Sequence, residues 1–297
     1  MYRVGRWRTD ERCSPLRCIG VPCGGDFMDS SNIIDKIKNE FLNNKDKILE
    51  IIDLEKKNWD YDIDFDKLLG IFDKYENKES VINNDFKNTK EFVSGIGRVA
   101  FINQTNPYSI LSMILISIRT DNDVVFFLKD KLLAINTILV EIARKVSDRI
   151  SHINSNTYED FYSTQEKYDC VVYFGNKFEY LDFSRRVTIK SIFENSNEIY
   201  VFIDDRSFKD EFMAMDKFAY YNDINIRYYS EDFENSIKKI NDFGVLKNAA
   251  IYTKDRQKAF EFLQKVKAEN VYVNTNPCKN YEFDFDESKL VFMKKMC

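Results

Sequence analysis

Histidine occurs once, as His152. That removes histidine-based metal sites and leaves little basis for a Ser-His or Cys-His catalytic pair. Cysteine is sparse, with six in the chain at Cys13, Cys18, Cys23, Cys170, Cys278 and Cys297. The first three are spaced by five residues, which fits no zinc pattern, so the set reads as free thiols and no metal site is expected. Long apolar runs are also missing. The longest, Ile110 to Ile118, is interrupted by serine and is too short to cross a bilayer, so no membrane partner is expected. The N-terminus has no seven-residue apolar core of a secretory signal, which leaves a cytoplasmic location as the expectation. No excess of positive charge is present either. A formal net charge of −5 gives no electrostatic reason to approach nucleic acid.

What is present is a 297-residue chain with 44% hydrophobic and 31% charged residues, enough to bury a substantial core. Residues 1–27 stand apart. They hold five arginines and no lysine, half the cysteines and four of the nine glycines, whereas the remainder is rich in Lys, Asn, Ile and Asp. This segment reads as a leader, a fusion or a mis-assigned start, with Met28 as the more natural beginning.

From Ser30 to Lys57 an apolar stripe through Ile34, Ile37, Phe41, Ile48, Ile51 and Leu54 predicts one amphipathic helix or two, broken at Asn43 and Asn44. A further helix is predicted over Asp64 to Tyr75. After Gly97 the period changes. RVAFIN (98–103), DVVFFL (123–128), DCVVYF (169–174) and EIYVFI (198–203) read as buried strands separated by helix-length segments. Strands with little alternation, spaced in this way, argue for a parallel sheet covered on both faces. The pattern recurs later, with Ser230 and Thr253 as expected helix N-caps, Gly244 at a helix C-terminus, and strands at Ala249 to Tyr252 and Val271 to Asn274. The terminal KLVFMKKMC reads as an exposed or edge strand.

Phosphate cradles are poorly represented. The only GxG, Gly95-Ile96-Gly97, precedes a strand instead of following one, and there is no Walker A sequence. Asp204 and Asp205 end a predicted parallel strand, where they could serve a metal or acid-base chemistry, or be neutralised by a neighbour such as Arg206. Asn106, in the turn between a strand and a helix, could cap that helix or point its amide into a cleft at the strand ends.

INQTNPYSILSMILISIRTDNDVVFF resembles a segment of the aldehyde dehydrogenase superfamily, and is most similar to the CoA-acylating aldehyde dehydrogenases. YDCVVYFGNKFEYLDFSRRVTIKSIFENSNEIYVFID and EDFENSIKKINDFGVLKNAAIYTKDRQKAFEFLQKVKAENVYVNTNP are similar to γ-glutamyl phosphate reductase, of the same superfamily. The resemblance covers roughly residues 96–276 with a large gap. It implies an α/β, three-layer fold with a mostly parallel sheet covered by helices and a shortened catalytic domain. The implied organisation is an N-terminal helical region (28–95), a Rossmann-like nucleotide-binding layer (96–205), and a catalytic-domain remnant with C-terminal edge strands (206–297).

The same resemblance implies an oxyanion-stabilising position at Asn106, a contact to the adenosine end of NAD or NADP near Lys129, a glycine turn at Gly175, Asn176 and Lys177, and a family glutamate at Glu194. It also implies dimerisation through sheet edges, here the C-terminal strands, or pairing with a full-length relative. One departure weighs against the family's chemistry. Arg206 to Tyr229, RSFKDEFMAMDKFAYYNDINIRYY, stands where the family leads to its catalytic cysteine, and it contains none. Cys278 could substitute, with Lys279 lowering its pKa, but its chain position does not match the family thiol and no base is evident nearby. The expectation is a catalytically degenerate member that binds a nucleotide cofactor or a protein partner. The alternative is an active NAD(P)-dependent reductase of an acyl-CoA or acyl-phosphate.

Overall fold

The computed structural model describes residues 30–59, 63–76, 91–175, 177–194, 198–222, 224–244, 246–277 and 285–295. Three helices lead: α1 (Ser30–Asn43), α2 (Lys45–Trp59) and α3 (Phe65–Glu76). The break expected at Asn43 and Asn44 falls at Asn44, whose side-chain amide bonds the Glu40 carbonyl at 2.7 Å. The apolar stripe runs as expected through Ile34, Ile37, Phe41 and Ile48, but then passes through Ile52, leaving Leu54 half exposed. Glu55, not an apolar residue, turns inward at the end of α2. Its carboxylate accepts the backbone N–H groups of Ala134 (2.9 Å) and Ile135 (3.4 Å).

A five-stranded parallel sheet follows, built from β2 (Arg98–Ile102), β3 (Asp123–Leu128), β4 (Ile150–Asn154), β5 (Cys170–Phe174) and β6 (Lys190–Glu194) in the order β4-β3-β2-β5-β6. Alternate residues face opposite ways. Val99, Phe101, Val124, Phe126 and Val172 pack against α1, α3, α4 (Pro107–Arg119) and α5 (Leu133–Val146). Ala100, Ile102, Val125, Phe127 and Val171 meet Phe161, Tyr168 and Phe183, contributed by α6 (Glu159–Tyr162), the approach to β5, and α7 (Lys177–Ser184). Burial on both faces is why these strands read as unbroken apolar runs.

The second sheet is also parallel, with β7 (Glu198–Ile203), β8 (Asn225–Tyr229), β9 (Leu246–Tyr252) and β10 (Ala268–Val273) in the order β10-β9-β7-β8. α8 (Lys209–Asn222) covers one face through Met215 and Ala219, while α9 (Phe233–Asn241) and α10 (Arg256–Lys265) cover the other through Ile237, Ile240 and Phe262. The strand at 198–203 therefore belongs here and not in the nucleotide-binding layer of 96–205. It pairs with β8 and β9, and the first sheet ends at Glu194. The expected N-caps also move by two residues. Asp232 caps α9 and Asp255 caps α10, each with its carboxylate on backbone N–H groups, which a charged acceptor at a helix N-terminus does better than Ser230 or Thr253 would.

Finally, β1 (Glu91–Gly95) pairs antiparallel with β11 (Val291–Lys295), placing the C-terminal strand beside residues that precede the first sheet. Asn122, fully buried, fastens this arm. Its carboxamide donates to the Leu290 carbonyl at 3.0 Å and to Thr120 Oγ1 at 2.8 Å, and accepts from Gly97 N–H at 2.9 Å. No helix among the described residues is long and apolar enough to cross a membrane.

Candidate functional site

The chain builds the five-stranded sheet outward from β2 to β3 and β4, then returns to lay β5 and β6 on the other side. Open α/β sheets hold their ligands at the carboxyl ends of the strands beside such a reversal, here β2 and β5. Asn103 follows β2, Gly175 follows β5, and Lys129 follows β3.

Asn103 joins all three. Its backbone takes φ of 68°, in the left-handed region that asparagine enters more readily than most residues. Its side-chain amide donates to the Phe174 carbonyl at 2.6 Å, and its side-chain oxygen accepts from the Lys129 ammonium. A carboxamide offers both a donor for a carbonyl and an acceptor for an ammonium. Lys129 also lies 5.5 Å from the centre of the Tyr158 ring. Tyr158 and Tyr173 share a hydroxyl hydrogen bond of 3.1 Å, and Tyr173 reaches Glu179 on α7 at 3.4 Å. Burial raises the pKa of both phenols, and for Tyr173 the bond to Tyr158 adds to it, so both stay protonated donors at neutral pH.

Gly175 has φ of 147°, and a Cβ there would fall 2.9 Å from the Asn103 amide nitrogen. Its N–H meets the Glu194 carbonyl at 3.4 Å. Lys177 opens α7 in an exposed position, and Asn176 and Cys278 lie outside the described residues. The hollow lined by Asn103, Lys129, Ser155, Thr157 and Tyr158 encloses about 10 Å³, the least that one water needs. The residue types, a cation and a tight glycine turn that each touch Asn103, suit a nucleotide. As the side chains lie, however, Asn103 occupies the approach to Gly175, and a dinucleotide does not fit. A wider hollow of about 440 Å³ lies beyond Asp130, lined by Glu55, Asn58, Trp59, Leu133 and Ala134.

Asn106 is 5% exposed and acts as the N-cap of α4. Its side-chain oxygen accepts the N–H of Tyr108 at 2.9 Å, with Ser109 N–H at 3.5 Å. Of the two roles open to it in the sequence, the cap is the one its oxygen fills. Two buried polar atoms around this turn have no hydrogen-bond partners: Gln104 Nε2, two residues before Asn106, and Asn136 Oδ1, whose amide nitrogen donates to the Thr105 carbonyl at 2.7 Å. Glu194 faces the C-terminal segment and forms an ion pair with Lys289 at 2.9 Å.

The second sheet reverses between β7 and β9, and the aspartate pair lies there. Asp204 accepts from Lys258 and from the Thr253 hydroxyl, both at 2.6 Å, and Asp205 pairs with Lys254 at 2.8 Å. Lysines, not Arg206, neutralise the pair. The Lys258 bond holds the Asp204 carboxyl below the usual range, and Lys254 brings Asp205 down to about 2. Cys170 is enclosed in β5, where burial pushes its thiol up to about 11.

Of the expected site residues, Lys129 and Gly175 each lie against Asn103, Glu194 meets Gly175 through its backbone carbonyl while its side chain pairs with Lys289, and Asn106 caps α4. Asn103, Tyr158, Tyr173 and Glu179 were not anticipated. The available signal was Asn103 itself, a polar residue closing an apolar strand one residue before the Gln-Thr-Asn-Pro turn.

No protein-family model matches the sequence, and no curated protein matches it. Solved structures do. A probable aldehyde dehydrogenase from Listeria monocytogenes superposes with a TM-score of 0.60 at 11% identity, over 89% of this chain and 90% of that one. An acetylating aldehyde dehydrogenase from Geobacillus thermoglucosidasius gives 0.58 at 11% identity, over 89% and 91%. γ-Glutamyl phosphate reductase from Thermotoga maritima gives 0.52 at 10% identity, over 83% of each chain. The likeness runs through both parallel sheets and the helices that cover them: this chain has the aldehyde dehydrogenase fold.

Proposed function

We propose that the protein is a catalytically degenerate member of this fold that acts by binding a nucleotide cofactor, NAD or NADP, or a protein partner. One observation carries the reading: the distribution of thiols. Residues 206–229 hold no cysteine, and Cys170, the cysteine among the described residues, is walled into a strand with its thiol pushed up to about 11. A thiol so placed neither reaches a carbonyl nor ionises at neutral pH, so the covalent route by thiohemiacetal or thioester is closed to it. The convergence of Lys129 with the Gly175 turn supports nucleotide binding as the retained half of the function. A second reading within the same class, protein-partner binding, is favoured by the β1–β11 arm, whose strand edges suit a homodimer or a complex with a full-length relative.

The test is calorimetry with NAD+, NADP+ and their reduced forms, alongside turnover assays with aldehydes, acyl-CoA and acyl-phosphate. Binding without turnover is the expected result. Steady-state oxidation of NAD(P)H by an acyl-CoA or acyl-phosphate, abolished by Cys278→Ala, would instead establish an active reductase.

A further inference from the structure

The geometry points to a binding site for a small primary alkylammonium ion in the hollow at the start of α5, walled by Glu55, Asn58, Trp59, Asp130, Leu133 and Ala134. This hollow shares no lining residue with the one at Asn103 and does not depend on the nucleotide reading. About 440 Å³ lies open there, a size that small-molecule sites commonly take.

The first observation concerns a single oxygen atom. Glu55 is 3% exposed, and both backbone N–H groups that its carboxylate accepts, those of Ala134 and Ile135, fall on Oε1. Among the described residues no hydrogen bond or ion pair reaches Oε2. The positive end of α5 stabilises the charge through Oε1. A carboxylate oxygen at this depth with no donor of its own is nevertheless costly. Because Glu55 lines the hollow, that is the side from which a donor can reach it.

The second observation is the balance of charge. Asp130 also lines the hollow, and Asn156 holds it: the Asn156 amide donates to Asp130 Oδ2 at 2.5 Å, and the Asp130 N–H donates to Asn156 Oδ1 at 3.0 Å. Its Oδ1 is left without a bond among the described residues. Two carboxylates thus face a space whose walls include no lysine, arginine or histidine. The third is the rest of the lining. Trp59 supplies an aromatic surface suited to a cation, Leu133 and Ala134 an apolar one suited to a short alkyl chain, and Asn58 a further amide oxygen. A primary ammonium combines one positive charge with several N–H donors, so it answers the charge and the empty oxygen together. A quaternary ammonium or an alkali ion brings the charge without the donor.

Trp7 and Trp59 are the two tryptophans of the chain, so in full-length protein carrying Trp7→Phe the fluorescence of Trp59 reads occupancy. Titration with n-butylammonium is expected to shift it with a dissociation constant of about 1 mM or lower. Tetramethylammonium and K+ are expected to bind at least about tenfold more weakly, for want of an N–H to give Oε2. Glu55→Gln can keep an oxygen for the Ala134 and Ile135 N–H groups while turning an amide donor toward the hollow, and it should weaken n-butylammonium by about tenfold or more. Asp130→Asn, at an exposed position, should weaken it by about threefold. No response to n-butylammonium at about ten times the expected constant overturns the site. So does equal binding by Glu55→Gln. Tetramethylammonium or K+ binding as tightly as n-butylammonium overturns the ammonium assignment, and since that comparison needs no change at Glu55 it holds even if Glu55→Gln fails to fold.

Discussion

At Asn106 two substitutions separate the helix cap from the oxyanion role that the resemblance implies. Its oxygen caps α4 by accepting from Tyr108 N–H, with Ser109 N–H at the limit of bonding distance, and both lie at the start of a helix that is buried along nearly its whole length. Loss of an N-cap costs about 1 kcal/mol on average. Ser109 is buried beside the cap and Tyr108 partly so, and an unsatisfied buried N–H costs about 1–3 kcal/mol. The two estimates overlap because they count the same donors, so Asn106→Ala is expected to destabilise by about 2 kcal/mol. In a chain of this size that lowers the melting temperature by roughly 4 °C. Asn106→Ser retains an acceptor at the cap but has no amide nitrogen to offer an oxyanion. If the side chain now serves the helix alone, serine recovers most of the lost stability, ending within about 1 kcal/mol of the parent protein. Differential scanning calorimetry of the three proteins reads this directly. An alanine variant melting within 1 °C of the parent, or a serine variant falling as far as alanine, would refute the cap as the present role of Asn106.

Three further outcomes follow from contacts described above. Asn122→Ala strands the Gly97 N–H and the Leu290 carbonyl in a fully buried place, so it should cost about 3 kcal/mol in a chemical melt and loosen the β1–β11 arm in hydrogen exchange. A loss below about 1 kcal/mol would show that the arm is held elsewhere. The folded pKa of Asp205, at about 2, lies below its ordinary 3.8, so the stability it contributes is fully present above 3.8 and is lost as pH falls toward 2. Asp205→Asn should therefore flatten the fall in melting temperature across that window, and an unchanged slope would contradict the Lys254 pairing. Cys170 should resist alkylation in the native protein at pH 7 and react only on unfolding, as read from its own peptide by mass spectrometry.

Much of the fold was legible because burial on both faces gives central strands an unmistakable composition. β2, β3, β5, β7 and β9 were visible as apolar runs, and each has a neighbour on both sides. β4 (ISHIN), β6 (KSIFE) and β8 (NIRYY) escaped notice. Each lies at the edge of its sheet, where one side meets no partner strand and polar residues cost less. The same locality explains the misplaced boundary. An apolar run such as EIYVFI records that a strand is buried, not which strand it pairs with, and nothing within 198–203 distinguishes membership of the second sheet from a place beside β6.

The site was legible in proportion to how local its causes are. Asn106 and its cap are a matter of three consecutive residues, and the spacing was sufficient. Lys129 and Gly175 were named through a resemblance to a family, and each lies against Asn103. What joins them, Asn103, depends on contacts 26 and 71 residues away in the chain. No periodicity encodes such contacts. The positive φ at Asn103 is likewise invisible in sequence, since asparagine is common in ordinary turns. The consequence reaches beyond this residue. At 10–11% identity with the solved structures it resembles, this chain shares their fold, and a likeness in fold does not fix what a site binds. Function in such a chain has to be argued from the side chains that line the site, because the fold supplies only the place.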